Sequence, residues 1–249
     1  MSIPRIIHRI VPEKQTELMD FCWQSVIDTH GSDWELITHV APENTSEGWD
    51  LTRSHWSKCP APAFMCDLMR LEVLWNYGGI YLDSDMYIFK DMSPLLGDQP
   101  FVGLESQGRW LCNAVIGSPA KHPALIDLIE GTKKVLDSGV VAHPPIVTTD
   151  VWGPRNDITF LGQDEFFMHD PDMRGQIPNL LESMKDIPGV YGQHLWAASW
   201  FNNGRYPQYM NVHHKRMIRS AFHNPFEEAK LSNKPKGKYG IPKYGILDF

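Results

Sequence analysis

Cysteine is scarce in this 249-residue chain. The four cysteines, Cys22, Cys59, Cys66 and Cys112, form no CxxC pair and no dense spacing. That excludes a disulfide framework and a zinc site of the usual spacing, and reads as reduced thiols in a cytoplasmic protein. Long apolar runs are missing too. The most apolar region, Phe64 to Leu82, is broken by Asp67, Arg70 and Glu72, and nothing approaches the roughly 18–20 residues of a membrane span. The opening Met1-Ser2-Ile3-Pro4-Arg5 lacks the basic stub and apolar stretch of a secretory leader. There is no internal repeat, and no segment of the body has the pattern of a nucleic-acid-binding module.

What is present is an ordinary globular composition. Hydrophobic residues make up 42% and aromatics 11%, which excludes wholesale disorder and leaves room for one large α/β domain or two small ones. The formal net charge of −7 is unevenly spread. Residues 213–249 hold eight Lys/Arg against Glu227, Glu228 and Asp248, so this segment carries +5 and residues 1–212 carry −12. Its Lys-, Pro- and Gly-rich end, from Ser232, reads as loosely structured. The basic segment has three readings: a solvated terminus, a peripheral contact with an anionic membrane surface, or a contact with an anionic acceptor such as nucleic acid or acidic glycan. The last ranks lowest, because no nucleic-acid module accompanies it.

Periodicity predicts a buried strand over Ile3 to Ile10, a helix over Glu13 to His30 and a strand over Trp34 to Ala41. This strand–helix–strand opening points to a parallel sheet with crossover helices. Glu43 to Pro62 reads as loop or short helices. Ala63 to Tyr77 is the clearest helix, with Phe64, Leu68, Leu71 and Trp75 on one face, Pro62 near its start and Gly78-Gly79 after it. Ile80-Tyr81-Leu82 is a short strand. Further on, Pro100 to Glu105 and Ala114 to Gly117 read as strands, Pro123 to Leu136 as a helix and Thr148 to Pro154 as loop. Thr159 to Leu161, the surroundings of Phe166, and Tyr191 to Trp196 are short and ambiguous.

The chemistry concentrates at Asp83-Ser84-Asp85. In an extended segment Tyr81, Asp83 and Asp85 share a face. Two carboxylates so placed repel each other unless a cation neutralises them, and hard oxygen ligands suit Mg²⁺ or Mn²⁺, often shared with substrate phosphates. Asp-x-Asp alone is common in solvated turns. Here it follows a helix carrying Asp67 and Arg70 at i,i+3 and a Gly-Gly cap, and the whole forms one compact unit.

That unit, Cys66-Asp67-Leu68-Met69-Arg70 followed by Leu74-Trp75-Asn76-Tyr77-Gly78-Gly79-Ile80-Tyr81-Leu82-Asp83-Ser84-Asp85, resembles the signature of the DXD-containing glycosyltransferases. These include the capsular-polysaccharide and initiating mannosyltransferase group, with the catalytic domains of large clostridial toxins as distant relatives. Cys66 stands where the family usually has Ser. Ile3 to His8 resembles the family's opening strand, and Asn113 to Gly117 with His122-Pro123 the segment after the metal motif. Gly153-Pro154 resembles a later landmark and His194 to Trp200 the closing His…Ser-Trp motif. The resemblance spans roughly residues 3–200.

It implies an α/β fold: a single GT-A-like domain with a Rossmann-like mixed sheet flanked by helices, over residues 1–212. A nucleotide-sugar half would cover about 1–90, an acceptor half about 91–212, and residues 213–249 would form a basic extension. It implies sugar transfer from a nucleotide-sugar donor to a glycan, glycolipid or other hydroxyl acceptor, with Mn²⁺ or Mg²⁺ and with retention of configuration. Carried over residue by residue, Asp85 would be the direct metal ligand, Asp83 would reach ribose or metal, and His194 would be a late ligand to metal or diphosphate. Asp67 and Arg70 would hold donor hydroxyls, Arg70 also lying near phosphate. Tyr81 would lie along the donor, and Ser199-Trp200 would close over the phosphates. Asn113 would bond the donor sugar or merely turn the chain, and Asp164 would face the acceptor hydroxyl or solvent. Val11 replaces a Trp that in the family stacks on the nucleobase; Trp23, Trp34, Trp49 or Trp56 would have to substitute, or the base differs. His8, in a buried strand, reads as a satisfied core histidine. Two other functions compete: a metal-dependent phosphoester hydrolase using Asp83 and Asp85, and a nucleotide-sugar-binding module without turnover. The location implied is cytoplasmic, with a peripheral position at the inner face of a membrane as the variant the basic segment allows.

Overall fold

A computed structural model describes residues 1–41, 49–140, 143–170 and 176–197. Strand β1 (Ile6–Val11) starts three residues later than the sequence pattern predicts. Pro4 lacks the N–H a ladder needs, and Ile3 instead donates its N–H to Gly97 O at 2.8 Å. Helix α1 (Glu17–His30) likewise starts late. Thr16 caps it, its hydroxyl accepting from Met19 N at 3.3 Å, as a β-region Thr at an N-cap does. Strand β2 (Glu35–Val40) runs parallel to β1. Residues 53–58 form a 3₁₀ segment within the region expected to be loop or short helices.

Helix α2 (Pro62–Tyr77) carries Pro at its first position and ends at Gly78, whose φ is +68°. Gly79 follows with φ +101°. Each is fixed twice, by backbone conformation and by space. A Cβ on Gly78 would lie 2.6 Å from Ala120 N, and one on Gly79 would lie 2.6 Å from Ile6 O. The pair lets the chain leave α2 and enter strand β3 (Gly79–Leu82) without a connecting loop.

The remaining strands are β4 (Met86–Ile88), β5 (Phe101–Glu105), β6 (Trp110–Ser118), β7 (Thr159–Leu161) and β8 (Gly192–His194). The remaining helices are α3 (Pro123–Asp137), α4 (Pro144–Trp152), α5 (Gln163–Phe166) and α6 (Ile177–Met184). Six strands form one sheet in the order β2-β1-β3-β6-β5-β7. β1 is parallel to both β2 and β3, and β5 is parallel to β7, while β6 pairs antiparallel with β3 and with β5. The sheet is therefore mixed, with β6 alone reversed. β4 and β8 form a separate antiparallel pair.

Alternation along the strands divides the core in two. Tyr81, Val102, Leu104 and Ile116 face one buried cluster with residues of α2, α3 and α4. Ile80, Leu82, Phe101 and Val115 face the other, which includes Val26 of α1 and Phe166-Phe167. Helices thus flank both faces. A smaller cluster joins Cys22 of α1 to Ile177, Leu181 and Met184 of α6 and to Leu195.

Thr148 to Pro154 is not the loop that the sequence suggests; residues up to Trp152 belong to α4. Its β-branched content disfavours a helix, but Pro144 and Pro145 occupy the first turn, where their missing N–H groups are harmless. Thr148 and Thr149 return their hydroxyl protons to Pro144 O and Pro145 O at 3.1 and 2.6 Å. Burial on β6 decides the conformation, and Leu111 N donates to Thr149 Oγ1 at 2.8 Å. No helix among the described residues is long and apolar enough to cross a membrane.

Candidate active site

The site lies where β3 ends. Asp83 follows Leu82 directly, and its N–H donates to Ala114 O at 2.8 Å. Because β6 runs against β3, the residue before Ala114, Asn113, arrives at the same carboxyl end of β3. This is the end at which open α/β sheets place ligands.

Arg70 is the hub of the first group. It is buried (4% exposed), and its Nη2 lies 2.8 Å from Asp67 Oδ1 and 3.1 Å from Asp83 Oδ1. Its Nη1 donates to Asn113 O, and its Nε to Cys66 O at 3.3 Å. The guanidinium also lies 4.6 Å from the centroid of the Tyr81 ring. Asn113 Nδ2 donates to Asp67 Oδ1 at 2.8 Å, and Tyr81 OH to Asp83 Oδ1 at 2.9 Å. So Asp67, Arg70, Tyr81, Asp83 and Asn113 form one connected network. Burial by itself disfavours the Arg70 charge, but Asp83, Tyr81 and Asp67 hold it above the ordinary guanidinium value. Burial pushes the Asp67 carboxyl up to about 6, although Arg70 and Asn113 pull it down.

The second group depends on the β4–β8 pair, whose register sets Met86 opposite His194. Asp85, just before β4, accepts from His194 Nε2 at 3.0 Å and from Ala197 N at 2.8 Å, and Leu195 N donates to Asp85 O at 2.9 Å. Burial would raise the Asp85 carboxyl; the His194 charge and the hydrogen bonds outweigh it and hold it below the usual range. Burial would lower His194; Asp85 outweighs it and holds the imidazole above its ordinary value. The His194 ring packs 4.1 Å, centroid to centroid, from Trp196, a residue at φ +54°.

Ligand atoms of Asp83, Asp85 and His194 all lie within 4.8 Å of one another. Two carboxylates and an imidazole fit a divalent cation, and the set is compatible with Mn²⁺ and with Mg²⁺. His194 Nδ1 is buried with no hydrogen-bond partner.

Of the other sequence candidates, Asp164 is half-buried in the first turn of α5, an element separate from both groups. Ser199 and Trp200 lie outside the described residues, as does the basic segment 213–249. Val11 is buried at the end of β1. Trp34 is a core residue whose Nε1 donates to Asp91 Oδ2 at 3.2 Å, and Trp23 lies against Arg9. Trp49 and Trp56 are partly buried, with centroids 5.7 Å apart. His8 is a fully buried core histidine, bonded to Gly78 O at 2.9 Å and His39 Nε2 at 3.1 Å.

Sequence reasoning missed Glu105. It closes β5, is 4% exposed, and burial pushes its carboxyl up to about 7 even though the Cys112 thiol and His194 pull it down. A charged residue ending an apolar strand reads as the start of a turn, so only its burial reveals it. It missed Ala197 N as a ligand of Asp85 for a different reason: backbone donors leave no trace in sequence.

Comparison with known proteins agrees with this geometry. Residues 17–102 match the family described as glycosyltransferase sugar-binding region containing DXD motif. The chain is 27% identical over 155 residues to inositol phosphoceramide mannosyltransferase 1 of Schizosaccharomyces pombe, covering 58% of this chain and 47% of that protein. It is 30% identical over 138 residues to inositol phosphoceramide mannosyltransferase 3 of the same organism, covering 51% of this chain and 36% of that one. The chain thus spans about half or less of the length of these curated relatives. Among solved structures it resembles the PaToxG glycosyltransferase, with a TM-score of 0.50 at 14% identity over 90% of this chain and 87% of the other. It also resembles the galactosyltransferase LgtC in complex with donor and acceptor sugar analogs, with a TM-score of 0.50 at 14% identity over 83% of this chain and 97% of the other. Residues 17–102 thus match the DXD-containing sugar-binding region of the glycosyltransferases, and the fold is of the GT-A type.

Proposed function

We propose that this chain is a metal-dependent glycosyltransferase that moves a sugar from a nucleotide-sugar donor to an acceptor hydroxyl, with retention of configuration. The observation that carries the proposal is the Asp83–Asp85–His194 constellation at the end of β3, beside the buried Asp67–Arg70–Asn113 network. Asp85, Asp83 and His194 would hold the cation, Mn²⁺ first and Mg²⁺ second. It would supply positive charge against the diphosphate as the sugar–phosphate bond breaks.

The chain's own residues have defined tasks in this reading. Arg70 cannot lose its proton and is held by Asp67 and Asp83, so its cation is positioned before donor arrives. It needs no reorganisation as charge develops on the leaving group. Asp67 and Asn113 present an acceptor and a donor to sugar hydroxyls. Tyr81 holds Asp83 in place and lines the donor. Asp164, on α5, is assigned to the acceptor side, and Ser199 and Trp200 to closure over the phosphates. Residues of about 1–90 would form the nucleotide-sugar half and those of about 91–212 the acceptor half.

The S. pombe relatives are named for mannosyl transfer to inositol phosphoceramide. A glycolipid or other membrane-borne hydroxyl acceptor is consistent with them, reached from the cytoplasmic face through the basic segment 213–249. The four free cysteines agree with a reducing compartment.

The test is release of nucleoside diphosphate from common nucleotide sugars, GDP-mannose included, by the full chain with Mn²⁺. Turnover or donor hydrolysis that chelation abolishes is the expected result. No turnover with any donor, or wild-type activity in Asp85→Ala, overturns the proposal. Phosphate release from an aryl phosphate ester would instead favour the hydrolase, and tight donor binding without cleavage the non-catalytic module.

A further inference from the structure

Between α2, α3 and α4 the structure leaves a cavity of about 30 Å³. That exceeds the roughly 10–15 Å³ needed to admit a water molecule. Asp67 and Asn113 form part of its lining; Asp67 is also paired with Arg70, and Asn113 Nδ2 donates to Asp67 Oδ1. The cavity therefore borders the residues assigned above to the donor sugar. Its remaining wall includes Phe64, Leu71, Leu128 and Val147.

Away from Asp67 and Asn113, the polar groups that line it are already committed. Thr132 Oγ1 donates its proton to Leu128 O at 2.8 Å, and Thr148 Oγ1 donates to Pro144 O at 3.1 Å, both within their own helices. A hydroxyl placed deep in this space would give up its water partners for a mostly apolar wall, whereas a methyl group would gain contact and lose nothing. The helices around it are tied together, with Trp152 Nε1 of α4 donating to Ala124 O of α3 at 2.8 Å. The space is not one that simple collapse would close.

We propose that this cavity is a specificity pocket of the donor site, taking a methyl-terminated substituent of the transferred sugar. A 6-deoxy or acetamido sugar would then be used in preference to the matching sugar that carries a hydroxyl there. The inference rests on the donor-sugar reading of Asp67 and Asn113.

The experiment compares donors that differ only in that substituent, using the full chain with Mn²⁺. The pairs are GDP-mannose against GDP-6-deoxymannose, UDP-glucose against UDP-6-deoxyglucose, and UDP-glucose against UDP-N-acetylglucosamine. Nucleoside diphosphate release gives kcat/KM, and donor-induced thermal shift gives a readout independent of turnover. In at least one pair the methyl-bearing member is expected to lead by about tenfold or more, a size typical of discrimination by one apolar group. Whichever pair shows it distinguishes the deoxy from the acetamido source. Thr132→Leu fills the cavity from α3 and is expected to bring that ratio close to unity while the partner donor is little affected. Val147→Leu does the same from α4 and keeps the test valid if the first variant fails to fold. Donors turned over with no methyl preference, or with a preference that neither folded variant alters, overturn the pocket and leave the transferase reading intact. No turnover and no thermal shift with any donor overturn both.

Discussion

Asp67, Arg70, Tyr81 and Asp83 belong to one helix–turn–strand unit, whereas Asp85 meets His194 across 109 residues of sequence. The first group is a closed ion-pair network around a buried guanidinium, rooted in α2 and β3, with Asn113 brought in by β6. The second hangs on a three-residue strand pair and a few hydrogen bonds to the segment that follows it. The difference teaches a division of labour. The local group is part of the core, so it cannot be disturbed without disturbing the fold. The long-range group contributes little to the six-stranded sheet, and under the proposed function its internal Asp85–His194 contact would give way to a cation.

Substitutions test that division. The largest effect is expected from Arg70→Met, which leaves Asp67 and Asp83 without their buried cation. Breaking a buried pair in this way costs about 3–5 kcal/mol, read in urea unfolding, and should abolish turnover as well. Arg70→Lys should regain part of the stability but little of the activity, since an ammonium cannot reproduce the fork. Wild-type stability in Arg70→Met would break the comparison from its first side. Asp85→Asn should lose less stability than Arg70→Met, with kcat lowered by roughly 10²–10³-fold. Its unfolding, rather than its inactivity, would break the comparison from the other side.

Glu105 sharpens the picture, because it is a buried acid that belongs to the sheet yet lies within electrostatic reach of His194 and Asp83. Its folded-state pKa of about 7 lies above its ordinary 4.5. Its contribution to stability is therefore fully present below about pH 4.5 and is lost as pH rises through about 7. The full span amounts to about 3 kcal/mol as an upper value. Glu105→Gln should flatten the dependence of unfolding free energy on pH across that window and raise stability at pH 8. A dependence unchanged in the variant would remove Glu105 from the account. The smallest effect is expected from His194→Ala. Calorimetric Mn²⁺ affinity should fall by at least about 10–100-fold, the loss typical even of outer-shell partners of a metal site.

The same contrast separates what could be read from the chain alone. The unit from Pro62 to Asp85 was legible because each step is local: a proline start, a helical stripe, a paired glycine stop and a strand running into acids. The flanking helices and the mixed sheet followed from the resemblance, and the parallel pairing of β1 with β2 from the strand–helix–strand opening. Helix α4 was misread, because Thr and Val disfavour helices and only burial on β6 reverses that preference. β4 went unseen because three residues carry no periodicity. Glu105 was invisible for a related reason: a carboxylate's burial is a property of its neighbours.

By itself the sequence determined the residue types of the site, the span of α2 up to its Gly78-Gly79 stop, and the short strand that runs into Asp83-Ser84-Asp85. Those are matters of covalent geometry, sterics and spacing over a few residues. Only the tertiary structure decided that β6 runs backwards to place Asn113 beside Asp67. It alone decided that β8 pairs with β4 to bring His194 onto Asp85, and that α2, α3 and α4 leave a small cavity against Asp67 and Asn113. Such contacts are chosen by the packing of the whole core, where the energy of one pairing depends on all the others, and no local pattern encodes them.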